Sequence, residues 1–371
     1  MRVAIVHYWL VSMRGGEKVL EALCNLFPDA VIFTHVADPT IVRRYFPNHE
    51  VRQTLVSRLP FARKLYKSYL PLMPIALEEL DLNEFDLVIS SEAGPAKGVI
   101  PSPTAPHICY CHSPMRYLWD KRHLYQNGAN VFRKAAMSLA LHPMRVWDTS
   151  SAARVDAFVA NSSFVANRIR KYYRREAVVV HPPVDVAAFS EKVDSGDVSE
   201  DFASTVSGAY LLAGQLTKYK RADLAIEAFR QMGRPLTVIG EGEEQKKLQG
   251  LASSNVVFHG RVSDKEMRYA FQNCRALVFP GEEDFGIVPI EVMAAGRPVI
   301  AYGRGGALET VVDGETGVFF DQPTIANLID AIERFEAVSA NLDPDTIQRH
   351  ARGFGPRQFA ENFGAVVEKL T

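Results

Sequence analysis

From Ala276 to Gly317 the chain changes its period repeatedly. An apolar run, Ala276 to Phe279, meets an acidic turn; Val288, Val292 and Ala295 follow at helical spacing; Val299 to Ala301 is a second apolar run, closed by the glycine-rich turn Gly303-Arg304-Gly305-Gly306. Short apolar runs bounded by turn residues read as buried strands, and a helix between two of them returns the chain for a parallel neighbour. The polar residues then fall on the loops at the carboxyl ends of strands, where open parallel sheets bind ligands. This pattern commits the chain to an α/β fold.

The same alternation runs through the whole sequence. Arg2 to Tyr8, residues 31–36, Phe85 to Ser90, His107 to His112, Asp156 to Ala160 and Ala177 to Val180 read as strands of a first half. His181-Pro182-Pro183-Val184-Asp185 is a stiff break, and residues 183–208 read as a polar linker without periodicity. Strands resume at Ala209 to Ala213, Leu236 to Ile239 and Val256 to His259. With 371 residues the chain is too long for one ordinary core, so two domains are expected. We place them at residues 1–190 and 191–352, with a terminal helix over 353–371 carrying Phe359, Phe363, Val366, Val367 and Leu370 at helical spacing.

Composition excludes several classes. Hydrophobic residues at 47% and charged residues at 23% are globular values. No apolar run reaches the roughly 18 residues that span a bilayer, and the opening Met1 to Leu10 reads as a first strand, so the protein is expected in the cytoplasm. Cys109 and Cys111 have no second pair to answer them, which speaks for buried thiols and against zinc. Residues 1–190 hold 23 Lys+Arg against 16 Asp+Glu, and the remainder 19 against 27, so the first half is basic and the second acidic. A basic half suits an anionic partner, but no nucleic-acid recognition motif accompanies it. The stretch Arg58 to Leu82 interleaves Arg58, Arg63, Lys64 and Lys67 with Phe61, Tyr66 and Tyr69; it fits either an element at the inner face of the cell membrane or a solvated surface.

Candidate site residues follow from placement. Glu283 precedes the helix that contains Glu291, and the amides of Phe285, Gly286 and Ile287 at its start suit hydroxyls and anionic oxygens. By spacing alone, an exposed Glu283 and a structural Glu291 remain open. Gly15 and Gly16 after the first strand form either a phosphate-facing turn or a plain connection. His112 ends a strand just before Pro114 and points to the ligand crevice, although a structural histidine fits as well. Lys220 follows the glycine-ended strand Ala209 to Gly214 near a helix start, where it can neutralise a phosphate. The region from Tyr125 to Ser151 reads as mostly helical and basic, part of an acceptor channel or an extra helical pair.

The stretch around Glu283-x7-Glu291, with Phe285-Gly286 between its members and Gly305-Gly306 and Glu309 beyond, resembles the donor-site signature of family-4 retaining glycosyltransferases of the GT-B architecture. The resemblance extends over nearly the whole chain. It implies two Rossmann-like domains facing a central cleft, a carboxyl-terminal helix crossing back to the first domain, and closure that excludes water. His112 to Asp120 is similar to the acceptor-side loop of bacterial cell-surface mannosyltransferases, which implies His112 at the transferred sugar, with Arg116 and Asp120 beside it. Lys220 matches the family's phosphate-side lysine. Gln215 stands where relatives carry arginine, and Arg221 is the nearest substitute charge. The resemblance further implies Gly15 and Gly16 against the donor diphosphate or the acceptor, Val262 at the base and Glu291 at the ribose. It implies a hexosyltransferase that uses GDP-mannose as substrate, needs neither cofactor nor metal, and acts on a cell-surface glycan or its lipid-linked precursor. A UDP-sugar enzyme, an epimerase or phosphorylase, and a non-catalytic nucleotide-sugar binder are the alternatives.

Overall fold

The computed structural model describes residues 1–120 and 131–371, the side chains of residues 131–140 apart. Residues 125–130 of the helical region expected before Ser151 lie outside the described residues; the rest is the helix Val131–Ala152. The chain divides into two compact units, residues 1–183 with 359–371, and residues 184–358.

The first unit is built on seven parallel strands, β1 (Val3–His7), β2 (Val31–Thr34), β3 (Val51–Gln53), β4 (Leu87–Glu92), β5 (His107–Cys111), β6 (Ala157–Ala160) and β7 (Ala177–Val179), in the order β3-β2-β1-β4-β5-β6-β7. The sheet grows outward from β1 to β3, then returns to add β4 on the other side. The loops after β1 and β4 therefore leave in opposite directions, and a crevice opens at their carboxyl ends. Every residue of β1, β4 and β5 is buried, as strands covered on both faces require. β3 has only three residues and no apolar run, which is why it is absent from the sequence reading.

The second unit repeats the plan with β8 (Tyr210–Ala213), β9 (Leu236–Ile239), β10 (Val256–Gly260), β11 (Leu277–Phe279), β12 (Val299–Tyr302) and β13 (Gly317–Phe320), in the order β10-β9-β8-β11-β12-β13. Its switch point lies between β8 and β11. Helix starts are marked by side chains that accept from free backbone amides. Ser162 accepts from Val165 N ahead of the helix Ser163–Tyr173, Ser263 and Glu266 form a reciprocal box, and Thr324 caps Ile325–Val338.

Residues 183–208 are not a linker. Val193, Phe202 and Val206 are buried in the second core, and the segment folds into the helices Val186–Ser190 and Glu200–Val206 around a short turn. Val184 N donates to Phe354 O at 2.9 Å and Ser190 Oγ to Ala294 O at 3.0 Å, so the first unit ends at Pro183 rather than 190. Interspersed polar residues hid the three apolar anchors. The terminal helix Pro356–Glu368 leaves the second unit at 358, because Phe354 still packs there, its ring centroid 5.9 Å from that of Phe285. From Phe359 the helix covers the first sheet: Phe359, Phe363, Val366 and Val367 join Ile5, Ile89 and Ile108 in one core. Each such buried side chain contributes on the order of 1.5–3 kcal/mol.

All four cysteines are buried and unpaired, with Cys109 and Cys111 in the same apolar cluster. Among the described residues no helix is long and apolar enough to cross a membrane.

Candidate active site

The crevice of the first unit is assembled at the ends of β1, β4 and β5. Gly15 and Gly16 are the first two residues of the helix Gly15–Leu26 rather than part of the preceding loop. A Cβ on Gly16 would lie 2.4 Å from the hydroxyl of Tyr8 and 3.6 Å from His112 Nε2, so the absence of a side chain lets this turn close over both. His112 directly follows β5 and is fixed along its backbone: its N–H donates to Glu92 O at 2.8 Å and its carbonyl accepts from Asn161 Nδ2 at 3.0 Å. Its Nε2 is 2.9 Å from Ser91 Oγ, and its ring meets the edge of Tyr110 at 5.1 Å.

The loop after His112 is held by ionic contacts. Arg168, on the helix Ser163–Tyr173, donates to Ser113 Oγ and to Asp120 Oδ1, each at 2.5 Å. Asp120, expected on the acceptor side, is thus engaged in fastening its own loop. Arg116 is half-buried between these anchors. Trp119 Nε1 donates to Asp148 Oδ2 at 2.8 Å. Asp148 in turn shares with Glu92 the wholly buried ammonium of Lys97. Burial pulls Lys97 down, but Asp148 and Glu92 outweigh it and hold the ammonium above its ordinary value, while burial pushes the Glu92 carboxyl up. The sequence reading missed this network because Glu92, Lys97 and Asp148 meet only through the fold.

In the second unit the crevice lies at the ends of β8 and β11. Gly214, Gln215, Leu216, Lys220, Pro280, Gly281 and Glu283 line it. Lys220 Nζ and Glu283 Oε1 are 2.9 Å apart, with the side chains 20% and 17% exposed. This pair stands at the rim, where a bound ligand's oxygens can compete for either partner. Gly281 lies so close to Lys220 that an added Cβ would be 2.7 Å from its Cα. The Gly305-Gly306 turn folds onto the same segment: Gly306 N donates to Glu283 O at 2.8 Å, and a Cβ on Gly306 would stand 2.2 Å from Phe285 Cα. Only glycine permits that approach.

Phe285 is buried, Gly286 caps the helix Ile287–Ala294 with φ 95°, and Glu291 is half-buried within that helix. Gln215, at the mouth of this crevice, is exposed. Arg221 adopts φ 55° ahead of the helix Ala222–Met232, and its Nε donates to Asp223 Oδ1 at 3.1 Å. Val262 lies in the turn after β10 and packs on the apolar core.

Residues 13–188 match the family model described as "Glycosyltransferase Family 4", and residues 207–350 match "Glycosyl transferases group 1". An alpha-1,3/1,6-mannosyltransferase ALG2 of Dictyostelium discoideum is 37% identical over 306 residues, 71% of this chain and 70% of that protein. Its counterpart from Neurospora crassa is 24% identical over 318 residues, 72% of this chain; the chain spans 65% of that relative's own length. O-antigen chain mannosyltransferase C of Escherichia coli is 30% identical over 158 residues, 40% of this chain and 42% of that protein. Among solved structures, Anabaena HepE in complex with UDP superposes with TM-score 0.75 at 16% identity, covering 100% of both chains. Sucrose-phosphate synthase from Thermosynechococcus elongatus gives 0.76 at 17%, covering 100% of this chain and 99% of that one. These likenesses and the two parallel sheets lead to one family: the chain belongs to the family-4, group-1 glycosyltransferases and has their two Rossmann-like domains of the GT-B architecture.

Proposed function

We propose that this chain transfers a mannosyl unit from GDP-mannose, with retention, to a cell-surface glycan or its lipid-linked precursor. The observation that carries the reading is the Lys220–Glu283 pair at the β8/β11 switch point. The 37% identity to a protein described as a mannosyltransferase supports the choice of sugar. In the proposed reaction the bond from the anomeric carbon to the diphosphate breaks, and the electron pair leaves with the nucleoside diphosphate. An acceptor hydroxyl oxygen bonds to that carbon, and its proton passes to the departing phosphate oxygen. Lys220 meets the growing charge on the diphosphate, and the amides of Phe285, Gly286 and Ile287 with Glu283 hold the sugar hydroxyls. Glu291 holds the ribose, Val262 the base, and His112 acts on the transferred sugar, beside Gly15, Gly16 and Arg116. With the lysine supplying positive charge, no metal is needed.

A donor screen tests the reading. GDP-mannose, GDP-fucose and several UDP-sugars are compared by thermal shift and by nucleotide release with and without chelator, and the product is identified as glycan, epimer or sugar phosphate. GDP-mannose is expected to stabilise the protein and to be turned over equally with chelator; no response to any guanosine donor sinks the mannosyl assignment. Lys220→Ala or Glu283→Ala is expected to lower turnover about 10²–10³-fold, the scale for losing one group that stabilises developing charge.

A peripheral contact with anionic lipid at the inner membrane face fits the segment after β3. Phe61 is 76% exposed and Ile75 57%, among the exposed Arg63, Lys64 and Lys67. Sedimentation with phosphatidylglycerol vesicles, but not with phosphatidylcholine vesicles, is the expected result.

A further inference from the structure

A row of polar groups crosses the first sheet beneath His112. β1, β4 and β5 pair in register, with His7 opposite Ser91 and Ser91 opposite Tyr110. Registered neighbours in a parallel sheet share a face, and so do residues two apart along a strand. His7, Ser91, Tyr110 and His112 therefore project to one side. There His7 Nδ1 is 3.1 Å from Ser91 Oγ, and Ser91 Oγ is 2.9 Å from His112 Nε2. On the far side of His7, its Nε2 is 3.9 Å from Glu17 Oε1, and both side chains are buried. The other oxygen of Glu17 accepts from Arg14 N at 2.9 Å, which fixes the carboxylate at the start of the helix Gly15–Leu26.

We infer that Glu17, His7 and Ser91 form a relay, electrostatic from Glu17 to His7 and hydrogen-bonded from His7 through Ser91, that sets the tautomer and ring orientation of His112. The direction follows from donor and acceptor counts. His7 Nε2 is buried, has no hydrogen-bond partner and faces a carboxylate, so the proton of a neutral His7 belongs on Nε2. Its Nδ1 then accepts from the Ser91 hydroxyl. The hydroxyl has one proton, already directed at His7, so its oxygen accepts from His112 Nε2–H. His112 is left with Nδ1 as the acceptor nitrogen, the form suited to receive a hydrogen bond from a sugar hydroxyl. Three buried groups thus act as positioning residues for a fourth, which rests on the proposed role of His112 at the transferred sugar.

The relay has a readout independent of turnover. Long-range ¹H–¹⁵N spectra of the full chain labelled on histidine are expected to show His112 with a protonated Nε2 and an unprotonated Nδ1. Glu17→Gln, of nearly the same volume, is expected to mix the two tautomers at His7 and His112; an unchanged His112 pattern overturns the relay. In kinetics with the responsive donor, Ser91→Ala is expected to lower kcat about tenfold or more at unchanged KM, within the range for losing correct protonation of a catalytic group. Ser91→Thr, which keeps the hydroxyl, is expected to restore most of it. Combined with His112→Ala, Ser91→Ala is expected to add nothing further, because the two act as one unit. Multiplying losses, or full kcat in Ser91→Ala with unchanged Tm, overturn the relay. Full turnover in His112→Ala overturns the role of His112 instead, and the spectra alone then decide whether the relay exists.

Discussion

The two sheets share a strand order but bury different chemistry. Beneath its crevice the first unit places His7, Glu17, His35, Glu92, Lys97, His107, Asp148 and Arg168 in its interior. Among the described residues of the second unit, Asp284 is the one buried acid or base, and the core is otherwise almost wholly apolar. The second unit instead shapes its crevice with backbone, through Gly281 and Gly306, and keeps Lys220 and Glu283 partly exposed at the rim. One unit fixes its buried polar side chains against one another. The other leaves a charged pair partly exposed at its rim.

The sharpest way to break this contrast is to remove the charge at the centre of the first unit. Lys97→Met leaves Glu92 and Asp148 buried without their ammonium, and a buried charge stripped of its partner costs about 3–5 kcal/mol. All three tryptophans, Trp9, Trp119 and Trp147, belong to the first unit, so their fluorescence follows its unfolding alone. The midpoint of that signal is expected to fall steeply, while amide exchange in β8, β11 and β12 stays as in wild type. An equal loss in both units would show that they do not unfold separately.

The converse test is Gly306→Ala. Its Cβ would meet Phe285 Cα at 2.2 Å and Phe285 O at 2.3 Å, both backbone atoms that no rotamer change can move aside. Forcing such a group into packed structure costs about 1–3 kcal/mol. The loss is expected in exchange protection of the second unit and in donor affinity, measured by calorimetry, with the tryptophan transition unmoved. A tryptophan shift as large as that of Lys97→Met would erase the distinction.

These cases also mark how far the sequence could be read. The strands beside both switch points announced themselves as apolar runs, and Glu283 and Gly306 sit within a few residues of a strand end, so local pattern placed them at the strand ends of the second unit. The short strand β3 and the packed segment 184–208 were hidden because a few apolar anchors among polar residues carry no period. Ser91, His7 and Glu17 were missed for another reason. Their partnership depends on β1, β4 and β5 becoming neighbours in one register, with His7 and Ser91 84 positions apart in the chain. Once the strand order is known the row becomes legible, since period two places all three strand ends on one face. Arg221 shows what adjacency in sequence leaves open: next to Lys220, it is itself left-handed, with φ 55°, and pairs with Asp223.

The mildest expected effect is a difference in acid sensitivity. His35 is fixed neutral, its Nε2–H donating to Pro95 O at 3.1 Å and its Nδ1 3.0 Å from Thr54 Oγ1, and burial lowers its pKa to about 4. Burial likewise lowers His107 to about 3, beside Ser90 Oγ at 2.8 Å. Both values lie below the ordinary histidine range near 6.5, so the unfolded chain takes up these protons first as pH falls. Above about pH 6.5 neither form is charged and nothing is lost. Below it each histidine withdraws about 1.4 kcal/mol of stability per pH unit until its own folded pKa is reached. Urea titrations followed by tryptophan fluorescence are therefore expected to show the first unit weakening between pH 6.5 and 5. The second unit's His259 is also lowered by burial, but it is only half-buried, so a smaller slope is expected there. Carboxylates shared by all variants add a common background, which His35→Gln and His107→Gln separate out. Each substitution is expected to flatten the fluorescence slope by its own share, and a slope unchanged in both would mean that buried histidines do not set the acid limit of this unit.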